Sequence, residues 1–185
     1  MAHLKLENPD YSEKTVEILD HTQKGMGFVP NMYLKMGGNT ALLDAYMYSY
    51  TSFRANSGLS MVEQEVVFLS VAYENNCEYC MAAHSFVGDR MSKVPVEVTD
   101  AIREGKPVPD AKLAALSRLT RLLTANRGIV PQDEVDSFLA AGYTEAQVLG
   151  VIAGIGVKTL SNYSNHITSP EVDEAFASRV WKKQV

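Results

Sequence analysis

"MVEQEVVFLSVAYENNCEYCMAAHSF", residues 61 to 86, carries both a helix-start signal and the side chains best suited to chemistry. Ser60 stands just before it and Glu63 three residues later, a capping box that opens a helix. The apolar residues that follow recur at helical rather than alternating spacing. Asn75-Asn76 interrupts the pattern, and a second helix is expected from Cys77, with Asn76 as its cap. Both cysteines of the chain lie here, three residues apart, and His84 comes four residues after the second. On a helix Cys77, Cys80 and His84 take positions i, i+3 and i+7, which share one face. The imidazole then lies one turn beyond Cys80, where it can accept a thiol proton or stabilise a thiolate. The helix N-terminus adds positive potential that favours a thiolate.

Helical periodicity continues on both sides of this stretch and no convincing strand appears. "DYSEKTVEILDHT" offers Asp10 as a cap and places Val16 and Ile18 with Leu19 inside. "KGMGFVPNMYLKMGGN" is punctuated by Gly and Pro, with a short helix after Pro30. Thr40 to Phe53 forms a helix with an aromatic stripe of Tyr46, Tyr50 and Phe53, read as core or subunit interface. Pro95 and Gly105 bracket another helix. Asp110 caps one whose Leu113, Leu116, Leu119 and Leu123 form a packing stripe. Pro131 starts the next. Thr144 and Gln147 make a second capping box, opening "AQVLGVIAGIGVKTLSNYSN". Gly150, Gly154 and Gly156 leave that helix nearly bare on one side, inviting a close backbone approach. Each glycine costs roughly 1 kcal/mol in a helix interior, so packing must offset it. "SPEVDEAFASRVWKK" reads as a last helix anchored by Trp181. The expectation is one compact all-α domain over residues 1–185, with 1–24 as an N-terminal extension helix.

Composition narrows the function classes. Hydrophobic residues make up 46% and charged residues 21%, ordinary for a globular protein. A net charge of −5 without a basic run argues against a nucleic-acid backbone as partner. The longest apolar run, Val148 to Val157, is about half of what a bilayer helix needs. The first residues have no apolar core of the signal-peptide kind, so a cytoplasmic location is expected. Two cysteines in a reducing compartment point to catalysis or metal binding rather than to a structural staple.

Several chemistries compete for the cysteine pair. A CxxC at a helix start can close a strained, reducible disulfide, and so small a loop constrains the unfolded chain little. If the preceding helix folds back, Glu63 or Glu65 reaches His84 or a cysteine. Glu63 already serves its capping box, which leaves Glu65 free to orient the ring and relay a proton. Zinc would accept Cys77, Cys80, His84 and a carboxylate, although one CxxC without a second paired element is a weak zinc signal. A c-type haem needs histidine directly after the second cysteine, where Met81 stands, and thioredoxin-like chemistry needs a βαβ frame. Buried core thiols are the bland alternative. The redox reading stands first.

"EVVFLSVAYENNCEYCMAAHS" also fits Glu-x11-Cys-x2-Cys-x3-His, with Glu65, Cys77, Cys80 and His84 in the four places. In this it resembles the alkylhydroperoxidase D-like group of the carboxymuconolactone decarboxylase superfamily. "GFVPNMYLKMGGNTALLDAYMYSYTSF" resembles that group's lead-in and "LSNYSNHITSPEVDEAF" the tail of its peroxidase-related members, so the resemblance spans residues 25–180. It implies an all-helical fold that assembles into homo-trimers or homo-hexamers, and thiol-dependent reduction of small organic hydroperoxides. It further implies Cys80 as the attacking thiol, Cys77 as the resolving thiol of a redox disulfide, and Glu65 with His84 as proton relay. No bound cofactor or metal is implied, only an external dithiol reductant such as a protein-bound lipoyl group. Tyr79 stands where better-known members carry a second relay histidine, and a phenol with pKa near 10 is a poor shuttle at neutral pH. A decarboxylase role does not follow, because the lactone decarboxylases do not depend on a cysteine pair. His166 can line the same site or simply sit at a helix C-terminus. The competing functional reading is a metal-binding or redox-sensing oligomer without peroxide turnover.

Overall fold

The computed structural model describes residues 2–4, 6 and 9–183. Its nine α-helices among these residues begin with α1 (Glu13–Met26), α2 (Asn31–Met36), α3 (Thr40–Asn56), α4 (Met61–Glu74) and α5 (Glu78–Val87). They continue with α6 (Val96–Glu104), α7 (Ala111–Ala125), α8 (Gln132–Ala140) and α9 (Glu145–Thr168). A π turn, Gly88–Ser92, extends α5, and a 3₁₀ segment, Glu174–Arg179, follows α9. The described residues contain no strand, as the periodicity predicts, and no single helix among them is long and apolar enough to cross a membrane.

Helix α4 is the axis of the molecule. Every residue from Glu63 to Ala72 is buried, because α5, α6, α7 and α9 surround it. A helix apolar on nearly all sides is stable only in such a position. Its start is the expected capping box: Glu63 N–H donates to Ser60 Oγ at 3.3 Å, and Ser60 N–H to Glu63 Oε2 at 2.8 Å. The second capping box is present too, at the head of α9.

The α4–α5 junction differs from the expectation. Asn76 is not the cap of α5 but the left-handed residue that ends α4, with φ of 53°. Asn76 N–H donates to Tyr73 O at 3.2 Å and Cys77 N–H to Ala72 O at 2.9 Å, the paired bonds of a Schellman turn. Asparagine is among the few non-glycine residues that tolerate this conformation. The cap of α5 is therefore Cys77 itself, whose sulfur accepts the Cys80 N–H at 3.4 Å. The turn reverses the chain so that α5 runs back along α4. Nine residues separate Glu65 from Glu74 and seven separate Cys77 from His84. At about 1.5 Å rise per residue, His84 returns nearly to the level of Glu65.

Three smaller expectations are corrected. Ser12, not Asp10, caps α1, accepting the Thr15 N–H at 3.1 Å. Val16 is 44% exposed, whereas Leu19 is buried. The tail is not an α-helix beyond α9. Arg103 donates to the carbonyls of Arg179 at 3.1 Å and Val180 at 3.2 Å, taking them out of any helical ladder. Trp181 still anchors the tail, buried and donating from Nε1 to Arg103 O at 2.8 Å.

Candidate active site

The site is built where α4, α5 and α9 meet, with α2 and α3 on one flank. From α4 comes Glu65, fully buried, each oxygen engaged. Oε1 accepts a charge-assisted bond from Arg54 of α3, and Oε2 lies 2.8 Å from His84 Nδ1 of α5. The carboxylate fixes the ring's tautomer: the proton sits on Nδ1, and Nε2 carries the lone pair. Burial disfavours the imidazolium and the charge of Lys158 adds to that, outweighing Glu65, so His84 is held below its usual pKa and stays neutral near pH 7. Burial alone would push Glu65 up, but His84 and Arg54 overcome it and hold the carboxyl below its ordinary value. This is a base oriented by an anion.

The two thiols lie beneath it, both free and each 1% exposed. From α9, Asn162 Nδ2 donates to Cys80 Sγ at 3.0 Å and Asn165 Nδ2 at 3.2 Å. Asn165 also reaches Cys77 Sγ at 3.6 Å, and Ser161 Oγ lies 3.8 Å from Cys80 Sγ. The orientation of Asn162 is enforced, because its Oδ1 accepts from Asn75 Nδ2 at 2.9 Å, leaving its amide protons for the sulfur. Two amide donors converging on one sulfur favour its anion. Burial raises the Cys80 thiol. The Cys77 thiol that bonds to it, the charge of Lys158 and the Ser161 hydroxyl reverse this and take it well below the ordinary value. Cys77 moves the other way, pushed up by burial and by its bond to Cys80. Of the two thiols, Cys80 is the one whose anion the surrounding donors favour. A helix end alone would have favoured Cys77; the donors on α9 decide for Cys80.

The structure thus brings together Glu65, Cys77, Cys80 and His84, and sets the two accessory residues apart. Tyr79 turns its hydroxyl away from the sulfurs to donate to Asp173, and accepts Met32 N–H at 3.4 Å. Burial and the Asp173 carboxylate raise its pKa far above that of free tyrosine, which removes it from proton transfer. Its ring packs edge-on against Phe176, pinning the C-terminal segment over α5. Tyr79→Phe is expected to cost about 1.5–3 kcal/mol, the range for a hydrogen bond to a charged group. Urea unfolding would measure the loss, and the pH profile of cysteine alkylation should not move. His166 is exposed on the last turn of α9, outside the site. The aromatic stripe is core, as expected: Tyr46 and Phe53 are buried, while Tyr50 stacks on Phe68 at 5.8 Å and receives a bond from Arg54 at 2.9 Å.

Four site residues were not foreseen: Arg54, Lys158, Asn162 and Asn165. A signal existed for three of them. Lys158 is the only charged side chain between Glu145 and His166 of an apolar helix, and Asn162 and Asn165 follow it at i+4 and i+7 on one face. A metal centre has less to draw on. Both oxygens of Glu65 are taken, and among the described residues no three His, Cys, Asp or Glu side chains converge as ligands.

No protein-family model and no curated protein sequence matches the chain. Solved structures do match. An uncharacterized peroxidase-related protein from Silicibacter sp. TM1040 superposes with TM-score 0.81 at 18% identity, covering 96% of this chain and 95% of that one. An alkylhydroperoxidase AhpD core structure, an uncharacterized peroxidase-related protein from Ralstonia eutropha JMP134, gives TM-score 0.81 at 19% identity over 98% and 97%. The debrominase Bmp8 gives 0.73 at 15% identity over 90% of each chain. A cysteine-to-alanine variant of Bmp8 in complex with 2,3,4-tribromopyrrole gives 0.76 at 14% identity over 97% of each. The chain has the all-helical AhpD-core fold.

Proposed function

We propose that this chain is an enzyme that reduces small organic hydroperoxides with its own dithiol. The observation that carries this reading is the Cys80 sulfur, held by two amide donors and flanked by a histidine oriented by Glu65. In the reaction the Cys80 thiolate attacks the terminal peroxide oxygen, and the O–O bond breaks. Two electrons pass from sulfur to oxygen, leaving a sulfenic acid. The alkoxide leaves as alcohol with the proton that His84 Nε2 took from the thiol. Cys77 then attacks the sulfenic sulfur, water departs, and a Cys77–Cys80 disulfide forms. An external dithiol, of which a protein-bound lipoyl group is one form, takes the two oxidising equivalents and restores the pair. Free thiols in this arrangement fit a reducing compartment such as the cytoplasm.

Assembly into a homo-oligomer belongs to the same proposal. Leu149, Ile152, Tyr163 and Ile167 are 40% exposed or more along one face of α9, and between Leu149 and Ile167 that helix exposes no Asp, Glu, Lys or Arg side chain. A second copy of this chain would cover that face, trimers and hexamers being the expected states.

Intact mass after brief exposure of the reduced protein to one equivalent of an organic hydroperoxide tests the chemistry. Wild type should lose two hydrogens. Cys77→Ser should gain one oxygen, trapped as sulfenic acid, and Cys80→Ser should not change. An unchanged wild-type mass overturns the reading. A second reading has its own support in the likeness to a debrominase fold and in the aromatic cluster of Tyr46, Tyr50 and Phe68, whose Phe68 ring lies 4.8 Å from the His84 ring. In that case a brominated pyrrole, rather than a peroxide, would drive the loss of two hydrogens, with release of bromide and the dehalogenated ring.

A further inference from the structure

Lys158 is fully buried on α9, and its ammonium has no hydrogen-bond partner. It lies 5.3 Å from the centre of the Phe68 ring, around which Arg54 and His84 are also gathered. The Arg54 guanidinium is 4.8 Å from the same ring, and the His84 ring centre is 4.8 Å away. On α9, Lys158 is followed at i+3, i+4 and i+7 by Ser161, Asn162 and Asn165, the residues that surround the Cys80 sulfur. The lysine therefore projects from the face that holds the thiol.

A charge count narrows what it can pair with. Glu65 is the carboxylate of the cluster, and Arg54 pairs with it. Lys158 is left as an uncompensated cation in a site shut off from water, an arrangement that is strongly unfavourable unless an anion stands nearby. Each neighbouring acid except one is disqualified. The hydroxyls of Tyr33, Tyr46 and Tyr50 are pushed up by burial, as is the Cys77 thiol. His84 supplies no anion. What remains is Cys80, and the cluster becomes neutral when that thiol is ionised.

We propose that Lys158 is a positioning residue whose ammonium is the buried counter-ion of the Cys80 thiolate. The ionisation is a simple one. The S–H bond breaks, the electron pair stays on sulfur, and the proton leaves by way of His84. The two asparagine amides fix where the sulfur sits, and Lys158 supplies the unit charge that makes the anion the favoured form. The inference rests on Cys80 being the reactive thiol, but not on which electrophile it attacks.

Thiolate absorbance near 240 nm, followed against pH in the reduced Cys77→Ser protein, reads the Cys80 ionisation with no peroxide present. The midpoint is expected below the ordinary thiol value of about 8.5. Lys158→Met should raise it by about one unit or more, a tenfold fall in thiolate at a fixed pH, and slow alkylation by iodoacetamide near neutrality about tenfold. Lys158→Arg should recover most of both losses, which a merely space-filling role would not predict. A folded Lys158→Met protein with an unmoved midpoint overturns the proposal. If that variant does not fold, a Lys158-containing midpoint at or above about 8.5 overturns it equally, since a counter-ion must lower it. A low, lysine-dependent midpoint in a protein inert to hydroperoxides supports the ion pair while removing the peroxidase reading.

Discussion

Glu65→Gln is expected to destabilise the protein by about 3–5 kcal/mol, the range for breaking a buried ion pair from one side, and to slow any chemistry at Cys80 by about 10²–10⁴. The two effects share one cause. The side chain is fully buried, with Arg54 on one oxygen and His84 on the other. Glutamine keeps the shape but offers one acceptor and one donor. Whichever way the amide turns, its NH₂ meets either the guanidinium or the Nδ1–H, donor against donor. The lost charge leaves Arg54 and Lys158 in one site with Cys80 as the sole anion. The histidine is then free to take the other tautomer, which presents N–H rather than a lone pair to the thiol. Urea unfolding measures the first effect and thiol oxidation kinetics the second.

The same pair sets the acid limb of stability. The Glu65 carboxyl is held below its unfolded value of about 4.3. Its contribution is therefore complete above that pH and is lost as pH falls through the lower, folded value. His84 adds to the limb from higher pH. Its folded pKa lies below the unfolded value of about 6.5, so the unfolded chain takes up a proton first and stability declines from there downward. Wild type should lose stability from about pH 6.5 downward through His84, and further below about pH 4.3 through Glu65. In Glu65→Gln the lower part of that decline should be absent, because the neutral amide does not titrate.

How much of this was legible in the sequence depends on range. Capping boxes at Ser60 and Thr144 are local, three residues from end to end, and both stand as read. The fold-back that joins Glu65 to His84 was open to inference from two helices and a break. The break itself was misread because two structures compete for Asn76. Asparagine serves as an N-cap and as a left-handed helix stop almost equally well, and only the carbonyls of Ala72 and Tyr73 decide between them. Arg54, Lys158 and the two asparagines reach the thiols from helices far away in sequence. No short-range rule ties them to a CxxC, although a solitary lysine in an apolar helix asks for an explanation. Tyr79 was given to the site by its position between the cysteines. On a helix, adjacent residues point about 100° apart, so that place faces Asp173 instead.

Gly150→Ala is expected to lower stability by about 1–3 kcal/mol, the usual cost of overpacking, even though alanine is the better helix former. A β-carbon at Gly150 would stand 2.4 Å from the carbonyl oxygen of Ser57, a backbone atom at the end of α3 that cannot rotate away. Helix propensity returns only about 1 kcal/mol, so the collision wins. The damage would travel, because α9 must shift from α3 to relieve it and the same helix carries Lys158, Asn162 and Asn165 to the thiol. Gly25→Ala is the matched control. Gly25 lies in the last turn of α1, and a β-carbon there meets nothing within 4 Å, so that variant should be neutral or stabilised by up to about 1 kcal/mol. Thermal unfolding of the two variants against wild type should give opposite or null shifts, with only Gly150→Ala also lowering the fraction of Cys80 present as thiolate. Equal behaviour of the two would mean that α3 and α9 do not approach as closely as a bare glycine requires.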